Sequence, residues 1–187
     1  IGMSTSDCLS NAPQDSPRAM NSWYLIDVAM SKVIAPTLAT MARRGASYCG
    51  VLYAGLMLTA DGPKLVEYNA RFGDPECEVL MRLLKSDLVP ALEAAAIGSV
   101  KDMTLDWHDD VAMTVVMAAN GYPGSYDKGT VINGLDAVSD DTVVFHAGTA
   151  RAEDGTITAI GGRVLNVTAR GKTVAQAQAS AYAGVDA

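Results

Sequence analysis

Cysteine is scarce in this 187-residue chain: Cys8, Cys49 and Cys77 are odd in number, scattered, and form no CxxC pair. That excludes a disulfide framework or a thiolate zinc site and suits reduced thiols in a cytoplasmic setting. Aromatic residues make up only 6%, and with two histidines, His108 and His146, no Ser-His-Asp or Cys-His nucleophile can be assembled. Basic residues are outnumbered 21 to 14, giving a net charge of −7. No nucleic-acid or anionic-membrane partner is expected of such a surface. No apolar run reaches the roughly 18–20 residues needed to span a bilayer. The opening IGMSTSDCLS lacks the basic and then apolar regions of a secretory signal. Against these absences stands a hydrophobic content of 49%, enough for the cores of one or two small domains.

The most informative stretch is LVEYNARFGDPE, residues 65–76. Leu65, Glu67, Asn69 and Arg71 share one parity, so an extended strand would set a carboxylate, an amide oxygen and a guanidinium in a row, roughly 6–7 Å apart. Glu and Asn oxygens are hard ligands that suit Mg2+ or Mn2+, and Mg2+ is commonly held by one or two such groups plus substrate phosphates. Arg71 adds a donor fork matched to phosphate. Asp74 is the expected N-cap and Pro75 the expected first residue of a following helix, whose N-terminus suits anions. The plainer reading is an amphipathic edge strand with a solvated polar face, and spacing alone leaves both open.

The wider sequence adds a resemblance. Residues 50–88 (GVLYAGLMLTADGPKLVEYNARFGDPECEVLMRLLKSDL), VVMAANGYPGSYDKG at 115–129, VFHAGT at 144–149 and GGRVLNVTARG at 161–171 together resemble the phosphoribosylamine–glycine ligase family of ATP-grasp enzymes. The likeness runs from about residue 34 to 183. It implies an α+β chain: the C-terminal half of an ATP-grasp domain, antiparallel sheet with helices, then a small β-barrel or sandwich-like domain with a terminal helix. It also implies ATP-dependent joining of glycine to 5-phosphoribosylamine through glycyl phosphate, in purine biosynthesis. By the same resemblance Glu67 and Asn69 hold the metal on ATP. Arg71 faces the transferring phosphoryl group and Asp74 the amino-acid substrate. Arg163, after a glycine pair that lets a backbone approach closely, is a candidate for the ribose 5-phosphate, with His146 and Gly73 in the same cleft; the plainer readings are a surface ion-paired Arg and a core His bonded to backbone. The family's first domain, its ATP lid and a phosphate-contacting lysine have no counterpart in these 187 residues, so negligible ligase activity is expected of the chain alone. Other ATP-grasp carboxylate–amine ligases or carboxylating enzymes, and a non-catalytic assembly fragment, are the competing readings.

Along the chain, residues 1–27 read as a divergent or disordered leader, 28–107 as the ATP-grasp part and 108–187 as the β-rich part. Residues 29–44 carry helical spacing, with a kink or a start near Ala35 imposed by Pro36. An apolar strand over 48–58, an Asp61-Gly62 turn and a strand over 64–70 form a hairpin. Helices follow over 75–84 and 88–97, with Glu78 on a solvated face. Trp107 is expected buried and His108 an exposed linker residue. Short strands and turns then lead to a helix over 174–183 capped by Thr173.

Overall fold

A computed structural model describes residues 22–187, so the expected leader lies mostly outside the described residues. Contacts divide the chain into two compact units. The first comprises residues up to Phe72 with Asp87–Thr104, and the second Gly73–Ser86 with Leu105–Ala187.

The first unit begins with α1 (Ser22–Ala29), a π-helical turn (Met30–Ile34) and α2 (Ala35–Arg43). The irregularity has a local cause. Pro36 lacks an N–H and its ring crowds the preceding turn, so the helix re-starts there. The Ala35 N–H reaches back five residues to Met30 O. Tyr24–Arg43 spans 20 residues at a mean hydropathy of 1.4, long and apolar enough by length and composition to cross a membrane. Asp27 and Lys32 interrupt it, so no uninterrupted apolar run of that length is present, as expected. Strands β1 (Tyr53–Thr59) and β2 (Gly62–Asn69) form an antiparallel hairpin around the Asp61-Gly62 turn. Gly62 sits at φ +100°, open to glycine at little cost. Helix α4 (Val89–Ala96) follows, the Asp87 carboxylate accepting from the Val89 N–H at 2.9 Å. In this unit Ala94 and Pro63 are the only buried apolar side chains among the described residues.

The second unit is better filled. Helix α3 (Glu76–Leu83) precedes β3 (Val111–Ala118), β4 (Thr130–Val131), β5 (Thr142–His146), β6 (Thr149–Arg151), β7 (Ile157–Ala159), β8 (Arg163–Gly171) and α5 (Val174–Val185). One antiparallel sheet has the order β3-β8-β5 and another β4-β7-β6, with no closed barrel among the described residues. Strand β8 lies at the centre, and every residue from Val164 to Ala169 is buried. Both of its faces are covered. Asn166 meets α3, where its side-chain N–H donates to Glu78 Oε1 at 2.9 Å. Val167 lies under α5, where Gly184 leaves no room for a Cβ. The fully buried Ala177 and Ala181 let that helix approach closely. Ala159, Val164 and Leu165, with Met117, Ile132 and Val144, tie the two sheets into one core. Thr173 caps α5 as expected, accepting from the Gln176 N–H at 3.2 Å.

Two expectations fail here. Glu78 is not solvated: one oxygen takes the Asn166 hydrogen bond and the other is buried without a partner. Trp107 is 40% exposed rather than buried, while its backbone bridges to Leu84.

Candidate functional site

In the first unit, β2 carries Glu67 and Asn69 on one face. Tyr68 points the other way, toward the helix. Its hydroxyl lies 2.6 Å from that of Thr37, and both reach the Val33 carbonyl, at 3.2 and 2.8 Å. This clamp fixes the strand's rotation, and alternation then turns its neighbours outward. Gly55, paired with Glu67 across the hairpin, has the Glu67 stem lying over it; a Cβ there would sit 3.2 Å from Glu67 Cγ. The Asn69 amide nitrogen donates to Glu67 Oε1 at 3.0 Å, so the two side chains meet.

The expected four-residue row is broken at both ends. A bulge between Gly55/Leu56 and the facing Leu65–Glu67 shifts parity, and Leu65 lines a groove with Tyr68 and α2 instead of standing beside Glu67. The strand ends at Asn69, and Arg71 lies beyond it, its guanidinium folded back to donate to the Phe72 carbonyl at 2.7 Å. Among the described residues no group of three or more His, Cys, Asp or Glu gathers as a metal site. Two oxygen donors do fit a hard cation that keeps most of its ligands as water and phosphate.

In the second unit, three motif segments converge through glycine. Gly148 and Gly161 touch backbone to backbone, where a Cβ on Gly148 would fall 2.6 Å from Gly161 Cα. The Gly148 N–H donates to Arg163 O at 2.9 Å and the Ala119 N–H to Gly162 O at 2.8 Å. Tyr122 and Tyr126 pack over Gly162. A bulge opposite Met117/Ala118 then presents Arg163 at the start of β8. Its guanidinium donates to the Asp74 carboxylate at 3.1 Å and to the Asp74 carbonyl at 3.2 Å. Asp74 and Arg163, 89 positions apart, are therefore brought together, half exposed.

Asp74 is not a helix cap. Helix α3 starts at Glu76 with Pro75 before it and no side-chain cap, and the Gly73 carbonyl accepts the Cys77 N–H at 3.0 Å. The Asp74 carboxylate is spent on Arg163 instead. Gly73 is buried, and a Cβ would strike the Glu76 carboxylate. Burial, then the nearby Glu78 and Asp74 charges, push the Cys77 thiol up. His146 is exposed and pairs its Nδ1 with the Thr149 hydroxyl at 3.0 Å. What sequence reasoning missed is Glu78 with Asn166, and the Tyr122/Tyr126 lid on Gly162. Helical position alone could not tell a solvated carboxylate from one facing a strand.

A hairpin offering an acidic and an amide oxygen, in sequence before a β-rich unit with a closing helix, defines the class: an ATP-grasp segment joined to its C-terminal module. Residues 11–77 match the family described as Phosphoribosylglycinamide synthetase, ATP-grasp (A) domain, and residues 112–187 match Phosphoribosylglycinamide synthetase, C domain. The first match starts inside the stretch expected to be a leader. The chain is 52% identical over 171 residues to the phosphoribosylamine–glycine ligase of Agrobacterium fabrum, covering 91% of this chain and 40% of that protein. It is 56% identical to that of Brucella melitensis over 82% of this chain and 36% of the relative. A crystal structure of phosphoribosylamine–glycine ligase from Thermotoga maritima superposes with a TM-score of 0.72 at 34% identity, covering 84% of this chain and 38% of that one. The chain belongs to the phosphoribosylglycinamide synthetase family, and it spans about 40% of the length of the curated relatives it matches.

Proposed function

We propose that this chain supplies the metal-binding strand and the C-terminal module of an enzyme that ligates glycine to 5-phosphoribosylamine, consuming ATP and releasing ADP and phosphate. The observation that carries the reading is the meeting of Glu67 and Asn69 on one face of β2. Glu67 and Asn69 would hold Mg2+ or Mn2+, which when bound neutralises charge on the ATP phosphates. Arg71, released from the Phe72 carbonyl, is the donor for the phosphoryl group passing to the glycine carboxylate. Asp74, held by Arg163, is the acceptor for the glycine ammonium. Arg163, with Gly73 and His146, addresses the phosphoribosyl substrate. Glycyl phosphate is the acyl donor for the amine, and the protein's task is to stabilise charge and exclude water. The remaining ATP-grasp parts, the adenine-side lid among them, come from polypeptide outside these residues. Within the whole enzyme Tyr24–Arg43 is a domain helix rather than a membrane span, since Thr37 and Val33 are already engaged by β2. The setting is the cytoplasm.

The test is turnover with ATP, glycine and phosphoribosylamine. The 187-residue chain alone yields negligible product, whereas the segment fused behind the upstream portion of the Agrobacterium relative is active. In that fusion Glu67→Gln lowers kcat at least tenfold and weakens Mg2+ binding, as metal-site substitutions do. Robust product from the isolated chain, or an unchanged Mg2+ requirement in the variant, overturns the reading. A non-catalytic assembly role is favoured by the exposed Met57, Leu58 and Val66 of the hairpin. Mass rising with concentration, without nucleotide binding, would support it.

A further inference from the structure

At the far end of β8 from Arg163, the second unit holds a cavity of about 290 Å3. Seven residues of extended strand separate Arg163 from Arg170, roughly 24 Å. The cavity is lined by Arg82 at the end of α3, Asp110 before β3, Asp141 before β5, Arg170 at the end of β8, and Lys172 and Gln176 flanking the start of α5. Three cations against two carboxylates give a local surplus of positive charge in a chain whose net charge is −7.

The pairing inside the cavity is incomplete. Lys172 is spoken for by Asp110, Nζ to Oδ1 at 2.6 Å. Arg82 donates from Nη2 to the backbone carbonyl of Asp141 at 2.8 Å, not to its carboxylate. Its Nε is buried and has no hydrogen-bond partner. Arg170 forms no ion pair among the described residues. Burial, and then the charge of Arg170, lower the Arg82 guanidinium below its ordinary value, the Asp141 charge offsetting only part of this. Two like charges are thus held near each other with unused donors, an arrangement that an anion would relieve. Planar guanidinium forks match tetrahedral oxyanions bidentately. The first turn of the 12-residue α5 adds a favourable dipole beside them. The volume lies at the small end of ligand sites, enough for a phosphoryl group and too small for a nucleotide.

We propose that this cavity binds a phosphoryl dianion, as free phosphate or as the terminal group of a small phosphate monoester. The site involves none of the residues assigned to the ligase reaction and stands whether or not that assignment holds.

Isothermal titration calorimetry on the 187-residue chain tests it, with inorganic phosphate in one arm and ribose 5-phosphate in the other, at constant ionic strength set with chloride. Saturable one-to-one binding is expected, with a Kd on the order of 1 mM or tighter. Equal affinity in the two arms identifies free phosphate as sufficient, and tighter binding of the ester identifies a monoester site; either supports the proposal. Arg170→Gln weakens binding at least tenfold, Asp110→Asn leaves it intact or strengthens it by freeing Lys172, and Lys128→Gln, a cation outside the cavity and outside the ligase assignment, leaves it unchanged. Thermal melts give an independent readout: phosphate raises the Tm of the unsubstituted chain and not that of Arg170→Gln. Absence of saturable heat, full binding by Arg170→Gln, or loss in Lys128→Gln overturns the proposal.

Discussion

At the residue scale, the chemistry of this chain rests on how single side chains are spent. Asp74 could cap a helix and instead holds Arg163; Arg71 could extend a row of ligands and instead folds onto the next carbonyl. Lys172 and Asp110 give the clearest titration prediction. The hydrogen bond from Lys172 holds the Asp110 carboxyl below its ordinary value of 3.8, and the same contact raises Lys172 above 10.5. A depressed carboxylate contributes stability above its unfolded value and loses it as pH falls through the folded one. A raised lysine contributes fully below its unfolded value and loses it as pH rises through the folded one. The pair is therefore at full strength from about pH 4 to 10. Lys172→Met should move the Asp110 titration upward, read by NMR at its carboxyl carbon, and flatten the acid side of the stability profile. An unmoved midpoint would show that Arg170 and the other nearby charges set it alone.

At the element scale, strands were legible where burial is one-sided and the turn chemistry explicit. The Asp61-Gly62 hairpin follows directly from the residues. The bulge at Val66 did not, because a bulge leaves no mark in alternation until the partner strand is known. Nor did the solvated reading of Glu78 survive, since α3 is covered on the side that faces Asn166. The pairing of Glu67 with Asn69 was legible from spacing two along a strand, whereas Asp74 with Arg163 depended on tertiary placement. Gly162, inside the GGRVLNVTARG segment, gives no sign in the sequence that it seats aromatic rings. A Cβ there would collide with the Tyr122 ring and sit 3.2 Å from Tyr126. Gly162→Ala should cost about 1–3 kcal/mol, as overpacking does. Chemical denaturation checks it, and pairing with Tyr122→Ala should recover part of the loss because the two sites share one contact. Strict additivity would separate them.

At the scale of the whole molecule, the two units differ in how well they are filled. The second has a strand buried on both faces, while in the first Met57, Leu58 and Val66 remain more than half exposed. A two-stranded hairpin against one helical layer has little apolar area to bury. Hydrogen exchange on the intact chain should therefore show the slowest amides in β8 and markedly faster exchange in β1 and β2, by at least about tenfold for each 1.4 kcal/mol of difference in opening free energy. Uniform protection would contradict the unequal cores. The match to only about 40% of the relatives' length agrees with a first unit whose apolar faces are not all covered.

The division of the chain at Phe72, Ser86 and Thr104 carries its own consequence. The polypeptide passes from one body to the other three times, so no single proteolytic nick can liberate either of them whole. During synthesis the first body waits for residue 104 to leave the ribosome, and the second takes a helix made well before its strands. Grafting this C-terminal module elsewhere would require carrying α3 along with it.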